Sequence, residues 1–233
     1  MLGLIINMEN GLLSLVATPI GNLEDITLRA LRVLKEADYV LCEDTRVTGK
    51  LLHHYGISAK MKRYDAHASE SVHESILEDL KAGKHIALVS DAGTPGISDP
   101  GVWLVQRARQ AGALIEAIPG ASSVTAAVSL AGIAGNQFAF LGFVPQKKGR
   151  ETFFKTLKTR TEPVVFLEST HRILKTLASL VNELPEAKIY IGRELTKMHE
   201  EMIVGTPQEI LNILEAEPVR QKGEFVVIVE KTH

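Results

Sequence analysis

The chain has 233 residues, 45% of them apolar and 23% charged, with a formal net charge of −2 and a single cysteine. That length admits one large or two small domains, and the charge balance excludes a bulk polycation, so any nucleic-acid binding must use a local basic patch. One cysteine, Cys42, excludes an internal disulfide framework and fits a reducing compartment; its apolar surroundings read as core. No apolar run approaches the ~18 residues of a membrane span. Met1 to Asn10 lacks the basic flank and cleavage site of a signal peptide.

Leu12 to Ala17 reads as a strand, closed by the turn residues Thr18-Pro19-Ile20-Gly21-Asn22. Thr27 to Ala37 is helical, with Leu28, Leu31 and Leu34 on its apolar face. Tyr39 to Cys42 is a second strand and delivers Glu43-Asp44-Thr45-Arg46 at its carboxyl end. Asp44 is placed to cap a helix that runs to Tyr55 and stops at Gly56. Met61 to Tyr64 reads as a third strand. Ser71-Val72-His73-Glu74 has the form of a capping box opening a helix to Ala82. His85 to Val89 is a fourth strand. It runs into Ser90-Asp91-Ala92-Gly93-Thr94-Pro95-Gly96-Ile97-Ser98-Asp99-Pro100-Gly101, a loop with three Gly, two Pro and two Asp. A helix follows over Val102 to Ala111, and Leu114 to Ile118 is a fifth strand. Such a loop works through its backbone. Gly93, Gly96 and Gly101 let a ligand approach the main chain, while Asp91 and Asp99 can bind a ribose hydroxyl or cap the helix. The plain alternative is a tight strand-to-helix turn, but this loop is longer and denser in special residues than such turns. Five alternations of strand and helix predict a parallel α/β domain over residues 12–118, with ligands at the carboxyl ends of its strands.

From Pro119 the rhythm changes. Pro119-Gly120-Ala121-Ser122-Ser123 leads into a small-residue helix, Val124 to Ala131. Strands are expected at Phe138 to Val144, Val164 to Leu167, Ala187 to Gly192, Glu200 to Val204 and Phe225 to Val229. Helices are expected at Glu151 to Thr159, Ile173 to Leu184, and after the capping box Thr206-Pro207-Gln208-Glu209. Consecutive strands without helices between them predict a mixed sheet in a second α/β domain over 119–233. Pro145 to Arg150 is a basic loop. Lys147, Lys148 and Arg150, with Lys155, Lys158 and Arg160, suit phosphates, as does the group Lys60, Lys62 and Arg63. No aromatic residues interleave with them, so base stacking is not supported. There is no P-loop and no Gly-x-Gly-x-x-Gly after the first strand. His67, Glu70 and His73 form a loose group that reads as a solvated helix start before a metal site.

Several motifs then converge. Thr18 to Thr27, Glu43-Asp44-Thr45-Arg46, Ser90-Asp91-Ala92-Gly93-Thr94-Pro95, Pro119-Gly120-Ala121-Ser122, Gly142-Phe143-Val144-Pro145, Glu168-Ser169-Thr170-His171-Arg172, Arg193-Glu194-Leu195-Thr196-Lys197 and Lys222-Gly223-Glu224 resemble, in order, the signatures of the tetrapyrrole methylase superfamily in its small-subunit ribosomal RNA 2′-O-ribose cytidine methyltransferase branch. The resemblance covers residues 12–231. It implies two α/β domains with S-adenosylmethionine in the cleft between them, a homodimer, a cytoplasmic location and small-subunit ribosomal RNA as partner, in the assembled subunit. It places Pro19 under the cofactor. Val89, Ser90, Asp91, Gly93 and Thr94 would hold its methionine part or ribose, with Ser122 and Ser123 at the start of the second domain. Leu167 or Glu168, with Leu195, would close over the adenine. Lys147, Lys148, Arg150, Arg172 and Lys197 would meet RNA. One departure is His67-Ala68-Ser69-Glu70, where family members often carry His-Asn-Glu; that contact is missing or replaced by Ser69.

Methyl transfer from a sulfonium needs alignment of nucleophile, methyl and sulfur, and a base would help a ribose hydroxyl attack. Asp25, Glu43, Asp44, Glu168, His171, Glu194 and Lys197 are candidates. The clusters Glu43/Asp44/Arg46 and Glu168/His171/Arg172 are favoured, each with a structural alternative, and a reaction without a protein base stays open. Two other readings stand beside this one. A small-molecule methyltransferase would need an apolar, aromatic-lined cleft, which 5% aromatic residues serve poorly. A non-catalytic adenosine-ligand or RNA-binding module would need the Gly/Pro loop only for binding.

Overall fold

The structure is a computed structural model and describes residues 10–65, 68–97, 101–133 and 136–231. Residues 1–9, His67, Ser98, Asp99 and Pro100, which carry expectations above, lie outside the described residues. The chain divides into two compact units, residues 1–122 and 123–233.

The first unit contains β1 (Leu12–Val16), α1 (Leu28–Glu36), β2 (Tyr39–Cys42), α2 (Thr45–His54), β3 (Met61–Arg63), α3 (Glu70–Lys81), β4 (His85–Leu88), α4 (Gly101–Gln110) and β5 (Leu114–Ile118). The strands lie in the order β3-β2-β4-β1-β5 and every pair is parallel. Alternate side chains of one strand serve opposite faces. Leu13, Leu41, Ile86 and Leu88 meet Ile76 and Leu80 of α3 and Leu104 and Ala108 of α4. Val16, Val40, Cys42 and Ala87 meet Ala30, Val33 and Leu34 of α1 and Leu52 of α2. The central strands are therefore apolar on both sides, as a helix-covered parallel sheet requires. Cys42 belongs to this core, and burial pushes its thiol pKa up.

Two expectations need correction. The core stripe of α1 is Ala30, Val33 and Leu34, whereas Leu28 is 86% exposed. Thr27 caps the helix by accepting the Ala30 N–H, and the packing of Ala30, Val33 and Leu34 on the sheet turns Leu28 to the outside. The capping box at Ser71 does not form. Helix α3 starts earlier, at Glu70, because the Ser69 carbonyl already accepts the Val72 and His73 N–H groups. Ser69 thus stands at the helix start, its hydroxyl against that of Ser71 at 2.9 Å. Nor is His73 a solvated residue: it packs on Trp103, ring centroids 3.8 Å apart, and edge-on to Tyr64.

The second unit contains α5 (Ser123–Ala131), β6 (Ala139–Phe143), α6 (Arg150–Thr159), β7 (Val164–Ser169), α7 (Ile173–Glu183), β8 (Lys188–Arg193), β9 (Glu201–Gly205), α8 (Pro207–Ala216) and β10 (Glu224–Glu230). Its order is β6-β7-β10-β8-β9, with β6 parallel to β7 and the other pairs antiparallel. One face carries the core of α6, α7 and α8 around Phe154, Phe166, Leu177, Ile191, Ile210 and Val227. Helix α5 packs on β8 and β10. The capping box at Thr206 forms as expected, with Glu209 bonding back to the Thr206 N–H at 2.8 Å.

Candidate active site

In the first unit every motif that resembled the family falls at the carboxyl end of a strand: Thr18 to Asn22 after β1, Glu43 to Arg46 after β2, Ser90 to Pro95 after β4, and Pro119 to Ser122 after β5. Thr18 and Gly93 exchange backbone bonds in both directions, at 2.9 and 3.0 Å, and the Thr18 hydroxyl donates to the Ser90 carbonyl at 3.1 Å. Gly93 sits at φ +80°, where a Cβ would stand 3.4 Å from Ile20. The Ser90 hydroxyl turns back on the Ala92 carbonyl at 3.2 Å, so it shapes the loop instead of facing outward. Thr94 Oγ1 donates to the Ala121 carbonyl at 3.3 Å, and Gly120 passes close enough to Ala17 that a Cβ would lie 2.9 Å from Ala17 Cβ. Val89 is buried beneath, its N–H donated to Leu41.

The Asp91 carboxylate accepts the Asp44 N–H at 3.1 Å. Asp44 caps α2 by accepting the Arg46 N–H at 2.8 Å and pairs with the Arg46 guanidinium at 2.6 Å. Those bonds to Arg46 hold the Asp44 carboxyl well below the usual carboxylate range. Asp44 is therefore a weak proton acceptor near neutral pH. Between the Thr18–Asp25 turn and α2 lies a cleft of about 410 Å³, lined by Pro19, Leu23, Val47, Lys50, Ser90 and Asp91 among others. A short 3-10 turn, Leu23–Asp25, forms one rail, and the Tyr55 hydroxyl, donating to the Leu23 carbonyl, ties it to the end of α2. Val47, Lys50 and Leu23 were not singled out from the sequence. A helix face gives no local sign that it borders a cleft, because the opposite rail comes from a distant stretch of chain.

In the second unit the motifs also share one sheet end: Phe143 and Val144 at the end of β6, Glu168 to Arg172 at the end of β7, Arg193 to Lys197 at the end of β8, and Lys222 to Glu224 at the start of β10. Here charge does the holding. The Glu168 side chain is 0% exposed. Its Oε1 accepts the Ser169 N–H at 2.8 Å and meets Arg172 at 2.9 Å, and its Oε2 accepts the Thr176 hydroxyl at 2.7 Å. Both oxygens are therefore engaged in holding the loop. Arg172 also donates to the Val144 carbonyl at 2.7 Å and to Ser169 Oγ. Arg150 is likewise tied inward, to Thr176 at 3.1 Å and more weakly to Ser179, over the Phe154 ring; burial lowers its pKa, against the pull of Glu168. His171 is exposed beside this network, as are Lys147 and Lys148.

Leu195 is buried between two residues at positive φ, Glu194 at 49° and Thr196 at 65°, a conformation side chains rarely adopt. The turn is fixed by backbone and charge together. Glu194 accepts the Glu224 N–H at 3.0 Å, and Lys197 bridges Glu194 and Glu224, each at 3.0 Å. Burial would raise the Glu194 carboxyl, but these donors hold it below its ordinary value. Lys197 is thus a paired cation. The Leu167 carbonyl accepts the Val144 N–H at 3.4 Å, and Ser123 opens α5. Arg193, buried, was read only as part of a motif; it donates to the Lys222 and Val219 carbonyls and pairs with Glu201 at 3.0 Å. Among the described residues no group of three or more His, Cys, Asp or Glu is placed to hold a metal ion.

Comparison with known proteins agrees with this arrangement. The chain is 45% identical over 225 residues to the ribosomal RNA small subunit methyltransferase I of Neisseria meningitidis serogroup A, covering 96% of this chain and 77% of that protein. It is 43% identical to the protein of that name from Bacillus subtilis, covering 95% and 76%, and 41% identical to the one from Thermotoga maritima, covering 94% and 98%. Two solved structures share the fold at low identity. A cobalt-precorrin-4 methyltransferase of cobalamin biosynthesis superposes with a TM-score of 0.72 at 18% identity, covering 98% of each chain. A diphthine synthase superposes with a TM-score of 0.72 at 17% identity, covering 95% of this chain and 91% of that one. The family model of tetrapyrrole (corrin/porphyrin) methylases matches residues 12–211, and the chain belongs to that family.

Proposed function

We propose that this protein transfers a methyl group from S-adenosylmethionine to the 2′-hydroxyl of a cytidine ribose in small-subunit ribosomal RNA. The observation that carries the reading is the 41–45% identity, across nearly the whole chain, to proteins named as small-subunit ribosomal RNA methyltransferases. The low-identity corrinoid enzyme shares only the fold, so it does not favour a small-molecule acceptor. Cytoplasmic location and a homodimer belong to the same reading. Exposed Phe138 and Phe143, beside and at the end of edge strand β6, are the surface to test for the dimer.

The residues after β1, β4 and β5 fit the cofactor. Gly93 turns the loop where a Cβ would press on Ile20, so backbone lies where other residues would place a side chain. Asp91 offers a carboxylate for an amine or a ribose hydroxyl, and no lysine or arginine lies in Ser90–Pro95 to repel a sulfonium. Pro19, Asp91, Gly93 and Thr94 would hold it, with Ser90 shaping the loop and Val89 supporting it from below. Ser122, Ser123, Leu167 and Leu195 complete the assignment. When bound, S-adenosylmethionine supplies an electrophilic methyl whose leaving group departs neutral, so no acid is needed. The protein's main task is alignment, which can contribute ~7–11 kcal/mol. Asp44 and Glu168 are committed to Arg46 and Arg172. Within the favoured clusters Glu43, Asp44, Glu168 and His171 are the bases to test, with Asp25 beside them and a reaction lacking a protein base as the limiting case.

The test is transfer of labelled methyl to small ribosomal subunits that lack the modification, with naked RNA and Gly93→Trp as controls. Label on one cytidine ribose, lost in the variant, is expected. Tight cofactor binding without transfer to subunits or RNA would overturn the reading.

A further inference from the structure

The cleft between the Thr18–Asp25 turn and α2 shares Pro19, Ser90 and Asp91 with the cofactor assignment, but that assignment does not explain its α2 wall or the Leu23 rail. Its rails are apolar and outward-facing: Leu23 is 38% exposed and Val47 41%. Its base is polar and buried, with Thr18, Thr48 and Ser90 almost inaccessible. Two charged side chains line it, Lys50 and Asp91. Asp91 is engaged by the Asp44 N–H. Lys50 makes no side-chain hydrogen bond or ion pair among the described residues, whereas Arg46 on the same helix is paired with Asp44. A solvated lysine on a helix needs no explanation, but one that borders an apolar slot beside a carboxylate has the makings of a bipolar ligand site. Its long apolar stem can line the wall while the ammonium stays at the mouth.

We propose that this cleft receives one nucleotide of the acceptor RNA, with Lys50 meeting its phosphate. The inference rests on the methyltransferase reading above and names the substrate seat within it. The volume, about 410 Å³, falls within the ~300–1,000 Å³ range of small-ligand sites. Apolar rails can flank the faces of an unstacked base, and the Lys50 ammonium suits the adjoining phosphate. A nucleotide in a folded RNA must leave its stack to enter a slot of this size. Asp91 then stands between acceptor and cofactor, lining the cleft while it belongs to the loop assigned to the cofactor. With the exposed Lys50 on the phosphate, the ribose would lie deeper in the cleft, toward Asp91.

Two measurements test this on the full chain. In the first, cytidine 5′-monophosphate and cytidine are titrated into the protein and the amide resonances of Thr48 to Leu51 are followed. The monophosphate is expected to shift them and to bind about tenfold more weakly to Lys50→Ala, the size of one lost charge-assisted hydrogen bond, with cytidine unaffected. In the second, methyl transfer to subunits is compared across Lys50→Ala and Lys50→Arg. The alanine variant is expected to raise KM for RNA about tenfold, and to lower the salt dependence by about the 0.7–0.9 log–log slope of one phosphate. Arginine should restore most of both, and KM for S-adenosylmethionine should not move. An unchanged RNA KM and salt slope would overturn the proposal. So would a rise in the cofactor KM, which would set Lys50 against the cofactor's carboxylate. Should the unsubstituted protein methylate no RNA, the functional reading falls separately, and the nucleotide titration alone decides the cleft. Thermal unfolding of Lys50→Ala is expected to match the parent, since the side chain is exposed.

Discussion

The two loop clusters are held by different forces. In the first unit, loops are fastened by main chain: the paired Thr18–Gly93 bonds, a glycine at φ +80°, and hydroxyls capping carbonyls. In the second, they are fastened by charge: buried Glu168 with Arg172, and buried Arg193, with Arg220, on the half-buried Glu201. A backbone-built loop keeps its few charged side chains at the surface, where they can meet a ligand. A charge-built loop is rigid, but its charged groups are already taken. Charge density was therefore a poor guide to chemistry in the second unit, because the cations and carboxylates that stand out in its motifs are mostly each other's partners.

The largest expected effect lies in the charge-built cluster. Glu168→Ala leaves the Arg172 guanidinium, the Thr176 hydroxyl and the Ser169 N–H without their acceptor in a buried place. Breaking such a pair costs about 3–5 kcal/mol, to be read from denaturant unfolding of the full chain. If Glu168 acted instead as a base, Glu168→Gln would keep stability and lose turnover. The expected order is the reverse, with stability falling in both variants and residual transfer surviving in glutamine. Next comes the backbone-built cluster. Gly93→Val forces a β-branched residue into the left-handed region and against Ile20, a strain of about 1–3 kcal/mol. Its effect on S-adenosylmethionine binding, followed by calorimetry, should exceed its effect on unfolding, whereas Glu168→Ala should do the opposite.

The same division explains what could be read from the chain alone. Strand and helix positions were legible because apolar periodicity is local: β2, β5 and the capping box of α8 fall where the pattern places them. The motif positions were legible too, since loops at strand ends carry Gly, Pro and Asp for conformational reasons. The partners of a side chain were not. Nothing in Glu168-Ser169-Thr170-His171-Arg172 tells that Thr176, one helical turn on, takes the second carboxylate oxygen, or that Val144 takes the Arg172 guanidinium from a different strand. The cleft escaped for the same reason. Lys50 and Leu23 are separated in sequence and are brought to opposite rails by the sheet order. Misreadings of phase, such as Leu28 on α1, came from leucine spacing, whereas the helix buries Ala30, Val33 and Leu34.

A smaller effect tests the back of the first unit. Asp79 accepts the Tyr39 hydroxyl at 2.9 Å and pairs with Lys62 and Lys84. Burial works to raise its pKa, but the three donors outweigh it and bring the carboxyl down to about 2, from an ordinary 3.8. A folded-state value below the unfolded one means that the stabilisation is complete above pH ~4 and is lost as the pH falls toward ~2. With the neighbouring lysines exposed and screened, about 1 kcal/mol is expected. Urea midpoints measured from pH 5 to pH 2 should fall less steeply in Asp79→Asn than in the parent. Equal slopes would mean that other carboxylates govern acid unfolding.

The smallest effect on the fold, and the sharpest on the comparison, concerns the basic loop before α6. Lys147 and Lys148 are exposed, whereas Arg150, two residues on, is half-buried and bonded to Thr176. If RNA reads this loop, only the two lysines are free to release counterions from phosphates. Lys147→Gln with Lys148→Gln should then lower the salt slope of RNA binding by about 1.4–1.8, twice the value for one phosphate, and leave unfolding unchanged. Arg150→Gln should act on unfolding, because it removes a donor from the Thr176 hydroxyl that also serves Glu168. Three neighbouring cations would thus divide into two that bind and one that builds. Equal salt slopes for all three substitutions would show instead that the guanidinium leaves Thr176 when RNA arrives, and that the charge-built cluster opens on binding.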